Sequence, residues 1–165
     1  MPSFDTESKE RLKGVYYPLV GLFDHVVQEY DCTVLFNGGH RGKDIQNQLY
    51  PTYSKVKFPF SRHNAMVKDD AGQWQPLALA VDVAPYHKTT PHVDWNDRDS
   101  FYHFAGYVRG QADYYGIPIT WGGDWDGDFD LADQQFYDLA HFQIDINQDR
   151  YAAKVWEDFV ANFRE

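Results

Sequence analysis

The sequence predicts an α+β fold, with a small, mostly antiparallel sheet and helices packed on one of its faces. Two observations carry this expectation. Three long segments repeat apolar residues every three or four positions, as amphipathic helices do. Between them lie short runs rich in β-branched and aromatic residues, bounded by turn formers. One of these, Leu77 to Val83, alternates: Leu77, Leu79, Val81 and Val83 fall on one side, and Ala78, Ala80, Asp82 and Ala84 on the other. The bulky side suits a helix layer. The alanine side leaves open space above a single carboxylate.

Asp5 to Leu12 begins the chain as a short helical turn, with Asp5 or Thr6 as its cap. Pro18 to Tyr30 is a longer helix, with Leu19, Leu22, Phe23, Val26, Val27 and Tyr30 on one stripe and His25 off it. Cys32 to Phe36 reads as a buried strand, and its cysteine as buried and inert. Asn37-Gly38-Gly39-His40-Arg41 makes a tight loop before a short helix from Lys43 to Tyr50. Pro51 to Pro59 is irregular, and Ser61-Arg62-His63-Asn64 ends that loop. Residues 65 to 76 form a polar loop or hairpin, followed by the alternating strand and a loop from Pro85 to Asn96 that holds His87 and His92. Asp97 to Tyr115 is a helix with Phe101, Phe104, Ala105, Val108 and Ala112 on one side. Ile117 to Trp121 is a strand. In the next strand Phe142 and Ile144 point one way, His141 and Gln143 the other. Tyr151 to Phe163 closes the chain as an amphipathic helix through Val155, Trp156, Phe159 and Val160.

The chain has 165 residues, enough for one domain with a real core, and no repeat or linker divides it. A 43% hydrophobic and 18% aromatic content argues against disorder. A formal charge of −10 disfavours non-specific nucleic-acid binding. A single cysteine excludes an intrachain disulfide. The N-terminus lacks a basic region followed by an apolar stretch, and no run is long enough to span a membrane. The expectation is synthesis in a cytoplasm, with the place of action left open.

Residues 117 to 144 depart most from what a core needs. They hold Trp121, Gly122, Gly123 and Trp125, then Asp124, Asp126, Asp128, Asp130, Asp133 and Asp138, with Asp145 just beyond. Two strands each lift a metal-ligating residue type, Asp82 and His141, off a small or polar face, and His63 lies on a loop leading to the first. Catalytic zinc takes three such protein ligands and leaves a fourth position open. The bland reading stands beside this one. The chain has seven histidines, and a lone one is more often a surface or hydrogen-bonded residue. Asp82 alone also reads as a buried structural carboxylate paired with Arg41. Trp121 and Trp125 are more often core or wall, and Gly38-Gly39 and Gly122-Gly123 more often turns. No His-Glu-x-x-His or Cys-x-x-Cys is present.

A resemblance favours the metal. Ser61-x-His63, then Ala80-Val81-Asp82-Val83-Ala84-Pro85, Trp121-Gly122-Gly123-Asp124-Trp125 and Asp138-x-x-His141-Phe142 together resemble the zinc peptidases of peptidoglycan stem peptides. These include D-alanyl-D-alanine carboxypeptidases and dipeptidases, and bacteriophage L-alanyl-D-glutamate endopeptidases, the endolysins. Gly38-Gly39-His40-Arg41 with Gln46 and Leu49-Tyr50 is similar to the family's Arg-bearing segment. The resemblance implies that His63, Asp82 and His141 bind zinc, that a cleft lies on the sheet face opposite the helices, that Asp138 is the catalytic acid/base, and that Arg41 sits near the scissile carbonyl. Asp138 and His141 can then share a side only if the chain turns at Leu139-Ala140.

Two departures from the family pattern are visible. Nineteen positions separate His63 from Asp82, more than is usual, so residues 65 to 76 are expected as an insert bordering the cleft. Gln143 stands where an acidic residue often follows His-Phe, so a supporting carboxylate is missing. The compact chain is most similar to the endolysin branch. That implies hydrolysis of the L-alanyl-D-glutamate bond, host lysis, action on the cell wall after release from the cytoplasm, and a monomer whose partner is peptidoglycan. The alternatives are D-alanyl-D-alanine carboxypeptidase or dipeptidase activity, and a non-catalytic, metal-stabilised wall-binding domain. Retention of Asp138 beside His141 argues against the last. Asp124, Asp126, Asp128 and Asp130 have the alternate spacing of a calcium loop. Phe129 stands where such a loop wants glycine, and Gln135 where it wants glutamate, so a solvated acidic turn is the favoured reading over calcium.

Overall fold

A computed structural model describes residues 2 to 164; Met1 and Glu165, the ends of the expected domain, lie outside the described residues. The architecture is α+β. Among the described residues there are five α-helices: α1 (Thr6–Leu12), α2 (Tyr17–Glu29), α3 (Lys43–Leu49), α4 (Arg98–Tyr115) and α5 (Arg150–Phe163). The strands are β1 (Cys32–Val34), β2 (Met66–Lys68), β3 (Trp74–Pro76), β4 (Ala80–Pro85), β5 (Ile119–Trp121) and β6 (His141–Ile144).

Local chemistry sets the helix ends. Asp5, Asp97 and Asp149 cap α1, α4 and α5, each carboxylate accepting from a backbone N–H in the first turn. Pro18 opens α2 with its φ already helical. Gly116 ends α4 at φ 67°, a left-handed conformation that costs glycine little.

The main sheet has the order β1-β4-β6-β5, with every neighbouring pair antiparallel. Its core face lies under α2 and α4. Phe142 of β6 meets Phe23 of α2 edge-on at 5.3 Å between centroids and Phe104 of α4 at 6.0 Å. Leu19, Leu22, Val26, Phe104 and Val108 are fully buried there, as their spacing predicts. The register places Asp82 of β4 directly opposite His141 of β6. Residues so paired project to the same side of a sheet with their Cβ atoms about 5 Å apart, here on the side away from α2 and α4.

Two expectations are corrected. The alternating segment joins the sheet only from Ala80. Ala80 to Pro85 are all buried in this central strand, and the alanines flanking Asp82 are closely packed, although Asp82 itself lines a cleft. Leu77, Ala78 and Leu79 instead bond to the backbone of Ala65, Gly14 and Arg62. The second correction concerns residues 65 to 76. They form the β2–β3 hairpin, but the hairpin packs on α5 rather than beside the cleft. Trp74 meets Phe163 edge-on at 5.2 Å and Phe159 at 6.5 Å. An indole that can be covered by two phenyl rings is drawn to them, and the hairpin follows it.

Candidate metal centre and cleft

His63 is delivered by a 3-10 turn, Arg62–Asn64. The Ser61 hydroxyl accepts from the His63 backbone, and the Asn64 side chain accepts from the Ser61 backbone, a reciprocal cap that fixes the turn. His63 Nδ1 donates to the Gly39 carbonyl at 2.9 Å. A carbonyl only accepts, so this bond puts the proton on Nδ1 and leaves the lone pair of Nε2 facing inward. Gly39 cannot be replaced without moving that carbonyl: a Cβ there would lie 2.0 Å from the Arg11 carbonyl oxygen.

His141 is fixed in the opposite sense. Its Nε2 donates to Gln143 Oε1 at 3.0 Å, so its Nδ1 lone pair faces inward. The three inward atoms converge. Asp82 Oδ1 lies 3.2 Å from His63 Nε2 and 3.1 Å from His141 Nδ1, and the two ring nitrogens are 3.2 Å apart. All three residues are buried. Burial pushes the His63 pKa down to about 4, so its ring is neutral at neutral pH. Burial also opposes charge on Asp82, but the neighbouring imidazoles outweigh it and hold the carboxyl well below its ordinary range.

Three acceptor atoms pointed at one another repel unless a cation sits between them. Tetrahedral zinc, with ligands about 2.0–2.1 Å away, spaces those ligands about 3.3 Å apart. The separations and the donor set, two imidazoles and one carboxylate, both fit zinc. Burial opposes charge on His141, but Asp82 and Asp138 outweigh it and raise the His141 pKa, so a metal there must displace a proton. The Asp82 reading as a partner of Arg41 also holds. Oδ2 accepts from Arg41 Nη2, while Arg41 Nε donates to the Asn37 carbonyl at 2.6 Å. The carboxylate therefore faces the histidines with one oxygen and the guanidinium with the other. Arg41 is held in turn: its carbonyl accepts from Asn64, whose amide also reaches the buried Gln46.

Asp138 sits at the open side of this group, 37% exposed, with Oδ2 4.0 Å from His141 Nδ1. The chain does turn at Leu139-Ala140. The His141 N–H donates back to the Asp138 carbonyl at 3.1 Å, and Asp138 and Gly122 bond backbone to backbone. Gly122 is needed for that approach, since a Cβ would lie 2.2 Å from the Asp138 carbonyl oxygen. Burial, and then the charge of Asp82, push the Asp138 pKa up to about 6. A carboxyl poised there can take and return a proton near neutral pH.

The group opens into a cleft of about 730 Å³. Arg41, His63, Asp82, Asp138, His141 and Gln143 all line it. Trp125 forms a wall, its ring 5.4 Å from that of His141. Trp121 is core, 3% exposed, with Nε1 donating to the Leu139 carbonyl. The rim comes from residues the sequence did not single out: Phe36, Tyr53, Lys55, Phe60, Trp95 and Phe136. Aromatic residues in loops without a helical or strand period were the available signal for Tyr53, Phe60, Trp95 and Phe136, whereas Phe36, expected in the buried strand, lies beyond the end of β1 and is exposed. His87 and His92 remain in their loop, bonded to each other rather than to the centre.

The acidic loop is organised from within. Asp124 is buried, paired with Arg109 at 3.0 Å, and accepts from the Gly127 and Phe129 backbone. Asp128 and Asp130 accept from backbone N–H groups two residues on. Ligand atoms of Asp124, Asp126 and Asp128 lie within 4.8 Å of one another, and Asp130 is not part of that group.

A family model described as phage L-alanyl-D-glutamate peptidase matches residues 2 to 144. Among solved structures, the chain is similar to the L-Ala D-Glu endopeptidase ChiX from Serratia marcescens, with 25% identity and a TM-score of 0.63. That likeness covers 89% of this chain and 91% of the other. No curated protein gives a significant match.

Proposed function

The chain belongs to the phage L-alanyl-D-glutamate peptidase family, and on that premise we propose that it is a zinc endopeptidase that hydrolyses the L-alanyl-D-glutamate bond of peptidoglycan stem peptides. The observation that carries the proposal is the convergence of His63 Nε2, Asp82 Oδ1 and His141 Nδ1 beside Asp138, at the floor of a cleft. His63, Asp82 and His141 would hold the metal. Zinc bound there supplies Lewis acidity, which acidifies water and polarises a carbonyl.

The chain's own residues do the rest. Asp138 takes a proton from the attacking water and returns it to the departing amine, which its raised pKa suits. Arg41 fixes Asp82 through one Nη and presents its remaining guanidinium donors to the cleft, where they favour negative charge developing on the carbonyl oxygen. Gly39 and Gln143 keep the two imidazoles in the tautomers that binding requires. The 165 residues act as one catalytic domain. Its biological role is opening the host wall during lysis, after release from the cytoplasm where it is made, and it works as a monomer.

Mass analysis of fragments released from purified peptidoglycan tests the reaction. New fragments beginning with D-glutamate are expected. Release of free D-alanine, with the L-alanyl-D-glutamate bond intact, would replace this reading with the carboxypeptidase.

A further inference from the structure

The cleft is more aromatic than the proposed scissile dipeptide can use. L-alanyl-D-glutamate offers one methyl group and two methylenes, has no ring, and is otherwise amide and carboxylate. Yet Phe36, Tyr53, Trp95 and Phe60 line the rim with exposures of 80%, 79%, 60% and 50%. Large exposed aromatics gathered at one cleft mark a surface that is covered in use.

Trp95 is the one of the four that stacks on another aromatic ring. Its ring lies nearly parallel to that of Phe101, 5.3 Å between centroids and 24° between planes. Phe101 is buried, 1% exposed, in a small cluster with Ala84 and Ala140. Ala84 follows Asp82 by two positions in β4, and Ala140 immediately precedes His141. One face of the indole is therefore bolted to the backbone that carries two of the proposed ligands, and the other is free. Aromatic surface held this way costs little conformational entropy when it is covered.

The stem peptide's alanine is amide-linked to a sugar, so a cleft that holds the bond after that alanine also meets the sugar on the acyl side. A pyranose ring has a C–H face that packs on an aromatic ring while its hydroxyls stay in water. We infer that the aromatic rim, with Trp95 as its platform, binds the pyranose that carries the stem, so that the substrate class is saccharide-linked stem peptide rather than free peptide. The inference rests on the proposed endopeptidase activity.

The test compares one stem peptide in two forms, amide-linked to its disaccharide and freed from it, with the zinc-loaded enzyme. The linked form is expected to have a kcat/KM higher by about tenfold or more, mostly through KM. Trp95→Ala should raise KM on the linked form toward the wild-type value on free peptide, with bound zinc unchanged. Tyr53→Ala is a second variant, since the Tyr53 ring stacks on no other aromatic and its loss leaves the core intact; it should raise KM in the same direction. Equal kcat/KM for the two forms, or discrimination kept by both variants, overturns the inference and leaves the endopeptidase standing. Failure of the wild-type enzyme to cut either form overturns the endopeptidase reading, and the inference with it.

Discussion

Single atoms decide the chemistry of the cleft floor. His63 and His141 each use one ring nitrogen to hold the other in place, and Asp82 divides its two oxygens between the histidines and Arg41. Asp138 stands beside them without joining the converging group. His63→Ala and His141→Ala are therefore expected to lose zinc. Asp138→Asn should keep it and lose turnover by about a hundredfold or more, the range of general acid–base catalysis. Metal content and activity measured on the same purified samples check this, and full activity in Asp138→Asn would remove it from the mechanism. Gln143 takes the place of an acidic residue, yet its amide oxygen accepts the His141 proton as a carboxylate would. The missing carboxylate costs charge, not orientation. Gln143→Leu removes both and should weaken zinc binding by about tenfold or more, whereas Gln143→Glu should strengthen it. Competition titration against a chromogenic chelator reads both, and an unchanged affinity in Gln143→Leu would show that the ring needs no such support.

Among the elements, β4 and β6 carry the centre and the loops carry the cleft. The cross-strand register of Asp82 and His141 is inherited from hydrogen bonds, so it is insensitive to the rim. The β2–β3 hairpin is separate from both. It joins α5 through Trp74, Phe159 and Phe163, with Lys68 over the indole. Trp74→Ala should lower stability by about 1–3 kcal/mol, less than for a fully buried tryptophan because Trp74 keeps some contact with water. Zinc content and turnover per folded molecule should not change. Denaturant melts alongside metal analysis would reveal an error: lost zinc at full stability would mean that the hairpin positions His63 after all.

Across the whole molecule, the core and the metal centre lie on opposite sides of the main sheet. The core runs from Phe4 through Phe23, Phe104 and Phe142 to Phe159, while Asp82 and His141 project together from the other side of β4 and β6. No described helix is long and apolar enough to cross a membrane. A chain with such a core is expected to fold without metal, unlike small zinc domains. Chelation should leave the far-UV circular dichroism unchanged and abolish activity. It should also lower the melting temperature, since a ligand at a thousand times its Kd stabilises the native state by about 4 kcal/mol. Collapse of the helical signal on chelation would show instead that the metal holds the fold.

The helices, the main strands and the family were legible in the amino-acid order, because they rest on short-range pattern. The stripe in α2 and the Asp5 cap each need only neighbours within a few residues, while the turn at Leu139-Ala140 followed from the roles the resemblance implies for Asp138 and His141. The residues of the centre were legible too, through motif resemblance, but not its geometry. Which nitrogen of each histidine faces inward depends on Gly39 and Gln143, one of them far away in the chain from the ring it holds. The aromatic rim and the hairpin's position were not legible. Trp74 packs on rings more than eighty positions later, and Tyr53, Trp95 and Trp125 come from three loops that meet only when β4 and β6 pair. Side chains without a period report nothing about their partners until the sheet brings them together, because only then does burial choose which faces are covered and which stay free.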